Sequence, residues 1–200
     1  MSVTLSSLEK SFGKKRLFFI DELNLPEGFT CLMGPSGCGK TTLGRVIAGL
    51  ERADGGRVSG IEGHPTVLFQ ESRLLPAISA YDNVKCICGS RVLKTFSDEL
   101  LIMLGFEKDD LDKLPSELSG GMERRVAIAR AIVFALENGG NFVLLDEPFS
   151  GLDDETKKIA AEVIKTYLSG KTVLVITHDE NDCASLGGKI INFSDFSKDL

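Results

Sequence analysis

Four short apolar runs punctuate the chain, each without the polar alternation of a half-exposed strand: Phe29 to Met33, Thr66 to Phe69, Phe142 to Leu145 and Thr172 to Ile176. Continuous apolar strands of this kind are covered on both faces, which is the habit of a parallel sheet. Between and after them the period changes. Leu43, Val46, Ile47 and Leu50 fall at i, i+3, i+4 and i+7, one face of a helix over Thr41 to Leu50. Ile159 to Leu168 reads as a helix joining the last two runs, so a right-handed parallel crossover is expected there. Lys189 to Phe193 is one more strand-like run. The order predicts an α/β fold with a mainly parallel central sheet.

The stretch from Glu71 to Glu117 breaks the rhythm. It carries helical signals near Tyr81–Cys88 and Ser97–Leu104, punctuated by Pro76 and Pro115. It reads as a small helical subdomain (about 71–117) inserted into a single domain of residues 1–200, whose core is residues 1–70 and 118–200. A chain of 200 residues is one domain of ordinary size.

Composition removes several classes. The apolar share is 42% and the charged share 26%, as in a globular chain with a buried core. No run approaches the roughly 18 apolar residues of a membrane span; the most apolar helical stretch, Val126 to Leu136, holds Arg130 in its middle. A net charge of −6 argues against nucleic acid as a partner. Five cysteines are an odd number, and Cys86 and Cys88 have no companions at zinc-like spacing, so reduced thiols are expected. MSVTLSSLEK lacks the charged start and apolar stretch of a signal peptide. The expected compartment is the cytosol.

The chemistry sits at the ends of the apolar runs. Gly34-Pro35-Ser36-Gly37-Cys38-Gly39-Lys40-Thr41-Thr42 fits G-x-x-x-x-G-K-[ST], with a strand before it and a helix after. Glycines let successive N–H groups turn inward on a phosphate chain, and the following helix aims its positive end at the same anion. Lys40 adds a full charge near the β and γ phosphates, and Thr41 offers a hydroxyl to Mg²⁺. Phe142 to Leu145 runs into Asp146 and Glu147. Asp146 suits a Mg²⁺ ligand, and Glu147 could orient or deprotonate an attacking water. The run ending at Ile176 is followed by Thr177-His178-Asp179, which puts a histidine at the same sheet edge. Ser119-Gly120-Gly121 precedes a long helix with Ala129, Ile132, Val133 and Leu136 on its core face. A plain serine N-cap would give that string, and so would a second anion site.

Leu118-Ser119-Gly120-Gly121-Met122 and the following Glu123-Arg124-Arg125-Val126-Ala127-Ile128-Ala129-Arg130-Ala131 resemble the signature segment of ATP-binding cassette ATPases. The resemblance covers nearly the whole chain, in the family's order: the phosphate loop, Gln70, the signature, Asp146-Glu147, Ser150-Gly151-Leu152-Asp153 and His178. It implies a P-loop NTPase fold with an N-terminal antiparallel β portion and an inserted helical subdomain. It implies that Phe12 stacks on adenine and that Thr41, Gln70 and Asp146 surround Mg²⁺. Glu147 is then the general base or water-orienting residue, and His178 a γ-phosphate contact. Ser119, Gly120 and Gly121 act in trans on ATP held by a second copy, with Asp153 at the dimer seam. Met122 stands where glutamine is usual, and Phe12 where tyrosine is.

The resemblance further implies an ATP-hydrolysing subunit of a transporter, peripheral on the inner face of the membrane. Its partners would be transmembrane permease subunits, a second copy of itself and a substrate-binding protein. The string Gln70-Glu71-Ser72-Arg73-Leu74-Leu75-Pro76 is similar to that of bacterial importers of the nitrate, sulfonate and taurine type. Leu74, Leu75, Pro76 and Ile78 are candidate permease contacts, or else core of the insertion. The alternative is a non-transport cytosolic ATPase of the same family.

Overall fold

The computed structural model describes residues 2–13, 15–89, 91–137 and 140–196, with the backbone alone for 91–95. Among the described residues, eight strands form two sheets. β1 (Val3–Phe12), β2 (Lys15–Leu25) and β4 (Gly55–Ser59) make an antiparallel sheet in the order β2-β1-β4. β3 (Gly28–Met33), β5 (Thr66–Leu68), β6 (Phe142–Asp146), β7 (Thr172–Ile176) and β8 (Lys189–Asn192) make a parallel sheet ordered β5-β6-β7-β3-β8. The α-helices among the described residues are α1 (Lys40–Ile47), α2 (Ala80–Lys85), α3 (Arg91–Met103), α4 (Gly120–Glu137), α5 (Asp154–Leu168) and α6 (Glu180–Leu186).

The apolar runs are strands because both of their faces are covered. Alternate residues of a strand point to opposite sides. Val143, Leu145, Val173 and Val175 join a core built with α2, α3, α4 and α5. Phe142, Leu144, Leu174 and Ile176 join a second core, against α1 and the antiparallel sheet. The helices that fall in the 71–117 stretch share the first core through Ala80, Val84, Leu100 and Leu101. α1 lies close on the sheet at Gly44, where a Cβ would stand 2.8 Å from Leu144 Cδ1.

Two expected core positions are on the surface. Leu50 is 54% exposed, because α1 stops at Ile47 and Gly49 turns the chain with φ +71°. Leu136 is 37% exposed near the end of α4, whereas Ala129, Ile132 and Val133 are buried as the pattern predicts. β1 keeps its inward face across an interruption. Val3 and Leu5 point in, Ser7 takes φ 47°, and the inward set resumes at Leu8 and Lys10. Pairing with β4 shifts register over the same stretch, the mark of a β-bulge. Buried Lys10 reaches Glu51 and the Arg52 carbonyl, both at 2.8 Å.

Candidate functional site

β3 ends at Met33, and the chain winds through Gly34 to Gly39 before α1 begins at Lys40. Gly39 has φ +120°, and a Cβ there would lie 2.8 Å from Leu17 Cγ. Any larger residue would be strained in backbone and crowded in space. Leu17 belongs to the same hairpin as Phe12, so that hairpin leans over the loop. Lys40 is buried, its ammonium donating to the carbonyls of Gly34 at 2.7 Å and Pro35 at 2.9 Å. The loop therefore curls around its own lysine.

β6 brings Asp146 to the same edge. Thr41 Oγ1 donates to Asp146 Oδ2 at 2.9 Å, which places a hydroxyl and a carboxylate oxygen side by side. Burial raises the Asp146 carboxyl above its ordinary value, against the Thr41 bond that lowers it. Ser36, Gly37, Gly39, Lys40, Thr41, Thr42, Gln70, Asp146 and Glu147 line one cleft of about 320 Å³. β7 delivers the histidine. His178 Nδ1 lies 2.9 Å from Glu147 Oε1, and that bond with the Glu147 charge raises the imidazole above its ordinary value. Glu147 holds φ 49°, an uncommon left-handed backbone for a non-glycine residue. Phe12 stands 57% exposed at the end of β1, outside the lining of the cleft.

A second concavity, of about 400 Å³, gathers Ser119, Gly120, Gly121, Arg125, Gly151, Leu152 and Asp153. The Ser119 hydroxyl caps α4 by accepting from the Met122 N–H at 3.2 Å. A Cβ on Gly121 would meet the Gly151 carbonyl at 3.2 Å, so signature and Asp153 turn are in close packing. Asp153 caps α5, accepting from the Thr156 N–H at 2.8 Å. Within the chain, then, the expected residues form two groups. The phosphate loop, Gln70, Asp146, Glu147 and His178 are one, and the signature with Asp153 is the other.

Arg124 also adjoins the first of these groups, although little in its local string marks it. It is 2% exposed on α4, with its guanidinium turned to the Gln70 and Glu147 segments. Its place in a charged triplet, Glu123-Arg124-Arg125, looks like a solvated helix face; the one signal against that is the apolar run directly after it.

A family model described as ABC transporter matches residues 22–150. The chain belongs to the ABC transporter family. ATP binding and hydrolysis come with that membership. Among similar members is the aliphatic sulfonates import ATP-binding protein SsuB of Zymomonas mobilis. It is 38% identical over 96% of this chain and 81% of its own length. SsuB 2 of Paraburkholderia xenovorans is 34% identical over 96% of this chain and 76% of its length. A solved structure of the ATP-binding cassette MJ0796, a dimer in a post-hydrolysis state bound to ADP and Pi, superposes with a TM-score of 0.80. It is 28% identical and covers 95% of this chain and 93% of that one. In this ABC transporter chain, no helix among the described residues is long and apolar enough to cross a membrane.

Proposed function

We propose that this chain is the ATP-hydrolysing subunit of an importer, closing on ATP as a dimer of two copies and driving separate permease subunits at the inner membrane face. The observation that carries the reading is the single cleft joining the phosphate loop to Gln70, Asp146 and Glu147. The relatives named for sulfonate import favour an importer over a non-transport ATPase. Division into a core of residues 1–70 and 118–200 and a helical insertion is part of the proposal, as is a substrate-binding protein in the complete system.

The roles follow from the chemistry of the groups. Lys40 and the inward N–H groups of residues 34–42 hold the phosphates, aided by the positive end of α1. Adjacent hydroxyl and carboxylate oxygens of Thr41 and Asp146 suit Mg²⁺, a hard cation that takes few protein ligands and shares the phosphates. Mg²⁺ bound there, near Gln70, would neutralise phosphate charge. Glu147 orients and deprotonates the attacking water. His178, tethered to Glu147, donates to the γ-phosphate. Phe12 offers its exposed ring to adenine.

Ser119, Gly120 and Gly121 form an anion site away from the chain's own phosphate loop. A second copy, packed head to tail, would bring that site over the ATP of the first, with Asp153 at the seam. ATP then neutralises and joins the two halves, and hydrolysis separates them. For the permease, the groove of about 340 Å³ between the β5 edge and α4 is favoured, lined by Leu50, Val67, Phe69 and Arg73. Leu75, 49% exposed, stands nearby in sequence, while Leu74 packs inward on the core.

The test is Glu147→Gln. ATP turnover is expected to fall by about 100-fold or more while ATP still binds. With ATP present, light scattering is expected to show twice the mass of the nucleotide-free chain. Unaltered turnover would remove Glu147 from catalysis, and a persistent monomer would remove the sandwich.

A further inference from the structure

Arg124 sits just over one turn into α4, almost wholly buried. Its hydrogen bonds all go to main-chain carbonyls, and those carbonyls come from two separate segments. Nη1 donates to Phe69 at 2.6 Å and Gln70 at 3.1 Å. Nη2 donates to Asp146 at 2.6 Å and Glu147 at 2.8 Å, and Nε to Pro148 at 3.0 Å. One planar fork therefore binds the backbone of Gln70, Asp146 and Glu147, three of the residues that line the cleft opposite the phosphate loop.

We propose that Arg124 is a positioning residue for hydrolysis, its guanidinium setting the backbone from which Gln70, Asp146 and Glu147 reach the nucleotide. The inference rests on the ATPase reading above and adds a residue to it.

Three facts support the role. First, fastening α4 to the sheet needs no charge. Val126, Ile132 and Val133 of the same helix do it by apolar burial, and a buried cation is costly where packing alone would serve. Burial pushes the guanidinium down to about 10, against the pull of Asp146 and Glu147 that favours its charge. Second, the fork geometry is used. An arginine has five N–H donors in a rigid plane, and here they span two chain segments; a lysine has a single point of charge and could not hold both. Third, Glu147 carries the left-handed backbone, which persists only when its neighbours hold it. Its N–H is bound to the Ile176 carbonyl at 2.8 Å, and its own carbonyl is bound to Arg124. Without the guanidinium, one side of that strained residue is free to relax, and the carboxylate moves with it.

The experiment uses the full chain with Arg124→Lys and Arg124→Gln, and Val133→Ala as a destabilised control on the same helix. Melting temperature, affinity for a non-hydrolysable ATP analogue, and kcat and KM for Mg-ATP are measured on each. Both Arg124 variants are expected to fold and to hold the analogue within about threefold of the parent affinity, since the phosphate loop is untouched. Misplacement of the carboxylates by about 1 Å should cost kcat about 100-fold, with KM nearly unmoved. Val133→Ala should lose melting temperature and keep its kcat. The proposal is overturned if folded Arg124 variants keep kcat within about twofold of the parent, or if Val133→Ala loses kcat to the same extent. It is also overturned if neither Arg124 variant folds, because the guanidinium is then a general determinant of the fold. A parent chain that does not hydrolyse ATP would instead sink the ATPase reading itself.

Discussion

Glu147 and His178 form an ion pair at the mouth of the cleft, and its strength depends on pH. The bond and the neighbouring carboxylate raise the imidazole above the ordinary histidine value of about 6.5. The folded chain therefore favours the protonated ring. Whatever stability the pair adds is complete below the ordinary value and is lost as pH climbs through the raised one. The His178 side chain is 75% exposed, so solvent screens the pair and the stability term is small. The titration itself is the better readout. An NMR titration should place the His178 midpoint above the ordinary value in the parent and lower it in Glu147→Gln. An equal midpoint in both chains would mean that the contact does not persist in solution.

Between the elements, the tightest junction in the signature region is that of α4 with the turn before α5. Gly121→Ala would place a methyl 3.2 Å from the Gly151 carbonyl and 3.4 Å from Leu152 Cδ2. The turn bearing Asp153 must then shift by a few tenths of an ångström. ATP affinity of the single chain should stay put, while ATP-driven dimerisation of the Glu147→Gln, Gly121→Ala chain weakens about tenfold, or roughly 1.4 kcal/mol. Titration by light scattering measures it, and an unchanged dimerisation constant would place the signature outside the seam. Some of these elements are legible in residue order and others are not. β7 is where its apolar run predicts, because nothing polar interrupts Thr172 to Ile176. α5 starts at Asp154, well before the expected Ile159, since Asp153 caps it with a carboxylate that apolar periodicity does not register. β1 escapes a search for alternation because the bulge at Ser7 slips the pattern by one residue. The phosphate loop, Asp146, Glu147 and His178 are legible as local strings at strand ends. Arg124 is not, because its partners lie on segments far apart in sequence and meet only in the folded chain.

At the scale of the whole molecule, two cores cover opposite faces of one parallel sheet, and α4 spans much of the first. Ile132 is fully buried in that core. Ile132→Ala should cost about 2–5 kcal/mol of unfolding free energy by denaturant titration, with the site's chemistry unchanged per folded molecule. A cost under about 0.5 kcal/mol would mean that α4 is not part of the cooperative unit.

The strand that leads into the phosphate loop lies between β7 and β8 in the sheet, and Phe193, just past β8, packs against Gly34. All three lie more than 130 residues downstream of the loop and are made well after it. A nascent polypeptide can wind its glycine loop early, yet has no floor beneath it until those downstream strands have emerged. Ribosome-stalled fragments ending at Gly170 should therefore fail to retain on ATP-agarose, and release of the finished polypeptide should restore capture.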